Sequence, residues 1–122
     1  MNILVAEQKN SATQYQPAPH LLLPDRTTTH FLKLYDIISV QAMNNYCKVH
    51  CSNRKQPIVV AKTLKWFQER LPEEWFSRVH HGHMINTNRI VSITGNMIFL
   101  ENGISAFISR RKKAGVAKAL RA

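Results

Sequence analysis

From His20 onward, apolar and polar side chains alternate over short runs, and turn-forming residues interrupt those runs at near-regular intervals. A two-residue period puts alternate side chains on opposite faces of a strand, so each run predicts a strand with one face toward a core. Leu21-Leu22-Leu23 stops at the turn pair Pro24-Asp25. Thr27 to Leu34 is rich in β-branched and aromatic types, and Ile37 to Val40 continues apolar. Asn44-Asn45 breaks that run, because Asn tolerates turns and positive φ. Tyr46 to Cys51 sets Tyr, Lys and His against Cys, Val and Cys, Ser52 to Gln56 is a polar turn, and Pro57 to Ala61 is another short strand. Residues 1–19 are polar, with a Pro17-Ala18-Pro19 step, and lack such a pattern. They are expected to be a flexible leader to one domain over 20–122, with no phospho-acceptor domain ahead of it.

After Ala61 the period changes to that of a helix. Thr63 is a capping residue, and Leu64, Phe67, Gln68 and Leu71 follow at helical spacing, with Pro72 ending the segment. Trp75 to Val79 returns to an extended pattern, followed by Met84-Ile85, a turn at Asn86-Thr87-Asn88 and a strand from Ile90 to Ile93. Gly95-Asn96 leads into Met97 to Leu100, and Glu101-Asn102-Gly103 is a hairpin signal with Ile104 to Ile108 as its return strand. Ser109 then caps a basic terminal helix whose inner face is Val116 and Leu120. The expected fold is mostly β: small antiparallel sheets, one mid-chain helix and a short C-terminal helix.

A chain of 122 residues is one domain by length, and 44% hydrophobic residues suit a globular core. No apolar run approaches the roughly 18 residues a membrane span requires. The short apolar patch Ile3-Leu4-Val5 has no basic leader, so a cytoplasmic location is expected. Cys47 and Cys51 are four apart on a strand, about 13 Å along it, which excludes a bond between them and favours two reduced, partly buried thiols.

Charge narrows the partner. Seventeen Lys and Arg face seven Asp and Glu, a formal charge of +10. Arg110 to Ala122 holds six basic residues and no acid, which favours a polyanion. Catalysis has little to stand on. There is no local Ser/His/Asp or Cys/His frame, and no glycine-rich phosphate loop among four glycines. Arg78-Val79-His80-His81-Gly82-His83 is the densest polar cluster, but it has no CxxC, no HExxH and no neighbouring carboxylate. The expectation is no enzyme, no catalytic residue, no metal and no cofactor.

The segment from Trp75 to Ile90 resembles the signature of the LytTR DNA-binding domain: Phe76, the basic Arg78, aliphatic Val79, His80, a polar step at His81-Gly82, Ile85-Asn86 and the late Ile90. Asp36 to Ala42 with Asn45-Tyr46 is similar to the family's early strand and turn. Thr63-Leu64 resembles the start of its helix, and Asn102-Gly103 with Ile108-Ser109-Arg110-Arg111 its closing hairpin and Ser-Arg-Arg element. The matches run in order over about 20–122. The chain departs from the family at Gly82, where Ser is usual, at His81, where Arg, Lys, Gln or Asn is common, and at Gln41, where Glu is common. The resemblance implies a LytTR-like stack of small sheets whose loops enter the major groove of double-stranded DNA at repeated promoter elements, with bending. It implies transcription regulation by a stand-alone, response-regulator-like domain, with a homodimer on DNA and no membrane contact.

On that reading the DNA-binding residues are Asn44, Asn45, His81, His83, Arg110, Arg111, Lys112 and Lys113. Asn44 and Asn45 can donate and accept together, which suits adenine edges. His81 and His83 flank Gly82, where backbone can approach a phosphate. Arg110 and Arg111 suit bidentate guanine or phosphate contact, and Lys112 and Lys113 suit phosphate. His80 is expected to be a buried, hydrogen-bonded residue and Asn86 to fix its turn. Tyr46, Trp66, Phe67, Trp75 and Phe76 are expected to pack. The alternative is a protein-interaction version of the fold or a module that binds nucleic acid without sequence preference.

Overall fold

The computed structural model describes residues 19–121, with side chains described through residue 116. The expected leader, apart from Pro19, and the side chain of Leu120 therefore lie outside the described residues. Ten strands and two helices follow in the order β1 (His20–Asp25), β2 (Thr28–Lys33), β3 (Ile37–Met43), β4 (Tyr46–Cys51), β5 (Ile58–Val60), α1 (Leu64–Gln68), β6 (Phe76–His80), β7 (His83–Asn86), β8 (Ile90–Thr94), β9 (Met97–Leu100), β10 (Ser105–Phe107) and α2 (Arg110–Arg121). They form a two-stranded sheet β1-β2, a five-stranded sheet in the order β5-β4-β3-β7-β6, and a three-stranded sheet β10-β9-β8. Every paired strand is antiparallel.

The five-stranded sheet is the middle layer, because its strands are apolar on both faces. On its first face Val40, Cys47, Val49, Val60, Phe76 and Met84 pack with Leu21, Leu23 and Leu32 of the β1-β2 hairpin and with Leu64 and Phe67 of α1. On its second face Ile38, Val79 and Ile85 pack with Ile98, Leu100 and Ala106 of the three-stranded sheet and with Val116 of α2. Phe67, Ile38, Ile85 and Ile98 are fully buried, and each such side chain contributes about 1.5–3 kcal/mol by leaving water. Register shifts in β3 between Ile37 and Ser39, and in β6 between Arg78 and His80, let one strand feed both cores. Arg89 ties the layers at one end: it donates to the Tyr35 carbonyl and to Glu101 at 2.7 Å.

The mid-chain helix is shorter than its apolar spacing predicts. Thr63 caps it, accepting from the Trp66 N–H at 3.1 Å, but the regular helix ends at Gln68, well before Pro72. The Arg70 guanidinium donates to the Trp66 carbonyl, and the Arg70 N–H donates to the Phe67 carbonyl three residues back, so the last turn is tighter than α-helical. Leu71 still reaches the core. Cys47 and Cys51 are free and buried on the first face. His50 lies an odd number of residues from Cys47 on β4 and so points to the other face, which separates it from that thiol. Burial pushes the Cys51 thiol up to about 11 and also raises that of Cys47, so both stay protonated at neutral pH.

Candidate nucleic-acid interface

Two polar turns leave the same end of the five-stranded sheet. Asn44-Asn45 joins β3 to β4, between the paired Met43 and Tyr46. His81-Gly82 joins β6 to β7, between the paired His80 and His83. The strands β3 and β7 are neighbours, with Gln41 opposite His83, and the Ala42 N–H donates to the Gly82 carbonyl at 2.8 Å. That bond holds the turns side by side, about 10 Å apart at two strand spacings. Asn44 carries φ +51, which Asn tolerates, and both Asn side chains are exposed.

The His81 turn is held on three sides. The Gly82 N–H donates to His80 Nδ1 at 3.2 Å, the Arg78 guanidinium donates to the His81 carbonyl, and the His80 and His81 rings lie 4.1 Å apart. Arg78 also donates to Gln68 Oε1 at 3.0 Å, tying the turn to α1. His80 is hydrogen-bonded and fixes the turn, as its expected structural role requires, but it is half-buried rather than buried. A Cβ at Gly82 would meet only His80 Nδ1, at 3.8 Å, so the turn itself does not require glycine.

The basic helix start joins the same end. The Ser109 N–H donates to the Val79 carbonyl at 2.8 Å, bringing the start of α2 beside the end of β6. Ser109 Oγ accepts from the Lys112 N–H at 3.3 Å and caps the helix. An open cleft of about 290 Å³ is lined by Gln68, Arg78, His80, His81, Ser109, Arg111 and Lys112. Arg110 and Lys113 are exposed in the same helical turn but do not line that cleft. Four cations at the positive end of a helix oppose the helix dipole, a cost of about 0.3–1 kcal/mol each where exposed. A bound anion would relieve it.

His83 is the expected contact that stands inside. It is 7% exposed, and its Nε2 and the hydroxyl of Ser39 have no hydrogen-bond partner among the described residues. Burial, and then the nearby His50 and His80, lower its pKa from 6.5 to about 4. Its imidazole is neutral at neutral pH and is shielded from a ligand. His81 points outward and His83 inward, so the two do not converge across Gly82, and no metal-competent group of three His, Cys, Asp or Glu occurs among the described residues.

Asn86 is wholly buried: its Nδ2 donates to the Ile37 carbonyl at 2.9 Å and its Oδ1 accepts from the Asn88 N–H at 2.9 Å, which fixes the turn as expected. Phe67 and Phe76 are core residues, and Trp66 and Trp75 pack on the first core. Tyr46 differs from expectation, being 51% exposed beside Asn45. The clamp made by Arg78 and Gln68 is not evident from the sequence pattern. Its one legible trace is the basic residue two before His80, whereas Gln68 comes near only through folding.

The LytTr DNA-binding domain family matches residues 27–121. The chain is 28% identical over 86 residues to the transcriptional regulatory protein LytR of Staphylococcus aureus strains N315 and NCTC 8325, covering 66% of this chain and 34% of that protein. It thus spans about a third of the length of these curated relatives. Among solved structures, the fold is similar to the LytTr DNA-binding domain of a methyl-accepting/DNA response regulator from Bacillus cereus, with a TM-score of 0.67, 19% identity, and coverage of 83% of this chain and 95% of that one. With a family match over most of its length and the small-sheet architecture to go with it, this chain belongs to the LytTr DNA-binding domain family.

Proposed function

We propose that this DNA-binding domain regulates transcription by placing its two polar turns in the major groove of double-stranded DNA at repeated promoter elements. The convergence of the Asn44-Asn45 turn, the His81 turn and the basic start of α2 on one end of one sheet carries this reading. Two turns about 10 Å apart match a groove about 12 Å wide. Asn44, Asn45 and His81 read base edges there. Arg110 and Arg111 take guanine or phosphate, and Lys112 and Lys113 take phosphate. His83 acts from within, as packing beneath the turn.

The domain works without chemistry of its own and without a cofactor, in the cytoplasm, where two protonated buried thiols persist. Adjacent elements seat two copies as a homodimer on DNA. The name of the Staphylococcus aureus relative, a transcriptional regulatory protein, supports the regulatory part of the reading.

Selection of bound duplexes from a random pool tests it: the expected result is an enriched, repeated motif, and a pool without enrichment refutes base readout. On the selected duplex, Arg111→Ala weakens binding by roughly 1–3 kcal/mol. An unchanged affinity by fluorescence anisotropy removes Arg111 from the contacting set.

A further inference from the structure

A second cationic group flanks the polar turns on the side away from α2. Lys62 lies two residues past the end of β5, and β5 pairs with β4 so that Val60 faces Cys47. This places Lys62 beside the Asn44-Asn45 turn. The β1-β2 hairpin brings its tip to the same corner. Arg26, at that tip, lines an open cleft of about 540 Å³ with Pro24, Asp25, Tyr46, Val59, Ala61 and Lys62. The one carboxylate of the cleft, Asp25, lies 3.5 Å from His30 on β2. Lys62 Nζ is held 5.1 Å from the centroid of the Trp66 ring.

The backbone of Arg26 marks it out. Three two-residue hairpin turns in this chain begin with a residue at positive φ: Arg26 at +56, Asn44 at +51 and Gly95 at +60. Gly holds that conformation freely, and Asn holds it at little cost because its short amide can bond the local backbone, but Arg has no such compensation and does so under strain. A strained residue at an exposed tip is a sign that its side chain serves something other than the turn.

We propose that Arg26 and Lys62 form a second phosphate-binding flank, gripping the DNA backbone on the opposite side of the groove from Arg111 and Lys112. The sheet supplies the spacing. From β5 to β6 there are four strand intervals, about 19 Å. The polar turns occupy the middle of that span, and a cationic group stands at or beyond each edge. A groove about 12 Å wide, bounded by two phosphate ridges, fits this order of cation, turn, turn and cation. The proposal rests on the major-groove reading above, and it adds contacts that carry no base information.

Titration of the full chain onto the duplex selected above, at several potassium chloride concentrations, tests it. The double variant Arg26→Gly/Lys62→Gln is expected to reduce the slope of log affinity against log salt by about 1.8, or 0.9 per lost phosphate contact. Between 50 and 200 mM salt, its affinity should then fall about 12-fold less than that of the unaltered chain. The selected motif should not change. Glycine suits the +56 turn, so the thermal midpoint of Arg26→Gly should hold or rise. The control Arg54→Gln/Lys55→Gln removes the same charge from the β4–β5 turn, at the other end of the sheet, and should leave the slope in place. A slope unchanged in Arg26→Gly/Lys62→Gln, or lowered equally by the control, overturns the flank while leaving the groove reading intact. If the unaltered chain itself selects no motif, the groove reading fails and takes the flank with it.

Discussion

At the scale of single residues, the interface separates side chains that shape a turn from side chains free to meet a ligand. Asn44 does both jobs in principle: its backbone needs positive φ and its side chain is exposed. Asn44→Gly divides them, because glycine keeps the turn and deletes the amide. We expect this variant to retain its unfolding midpoint in urea and to lose roughly 1–3 kcal/mol of binding to the selected duplex. Full affinity would show that Asn44 serves the turn alone. His83 poses the reverse case, a polar residue spent on the interior. Its folded pKa of about 4 lies below the ordinary 6.5, so the unfolded chain takes up the proton first. Stability from this group is complete above pH 6.5 and is lost as pH falls toward 4, with an upper bound of roughly 3 kcal/mol. His50, on this same face, is also lowered, by burial first and then by the nearby Lys48 charge, and adds to the same trend. Chemical denaturation from pH 7 to 4 should therefore give a flatter profile for His83→Gln than for the unaltered chain. Identical profiles would mean that His83 is not the titrating group.

At the scale of elements, the site depends on strand ends and one helix start being tied together by backbone. The Ala42–Gly82 bond joins the two turns, and the Ser109–Val79 bond joins α2 to β6. Of these ties, the Ser109 cap is the easiest to test. Replacing it with Ala removes the acceptor for the Lys112 N–H and should destabilise α2 by about 1 kcal/mol. Hydrogen exchange at the amides of residues 110–113 should then quicken, with DNA affinity falling although no cation has been lost. Unchanged exchange would mean the cap contributes nothing to the helix. The clamp from Gln68 through Arg78 to the His81 carbonyl extends the same logic to α1, whose early end at Gln68 leaves that side chain available.

At the scale of the whole molecule, three sheets and two cores leave one end of the central sheet to the polar turns and the basic helix start. On the proposed reading, the formal charge of +10 draws the domain to a polyanion and the turns supply discrimination. These two contributions respond differently to salt. Lys112→Ala should lower the salt slope by about one unit and leave the selected motif as it was. A preserved slope would show that Lys112 touches no phosphate.

Much of the architecture was legible beforehand because it is local. Alternation located the strands, as with Tyr46 to Cys51, and the turn chemistry of Asn44-Asn45, Gly95-Asn96 and Asn102-Gly103 located the reversals. The caps Thr63 and Ser109 marked where both helices begin. All of these depend on a residue and its near neighbours, so one chain suffices to read them. The depth of His83, the exposure of Tyr46, the shortened α1 and the approach of Gln68 and Arg78 to the His81 turn depend on what lies across a strand or across a core. Those partners are distant in the chain, and the sequence pattern does not name them. Alternation says which side chains share a face, and only packing decides whether that face is covered.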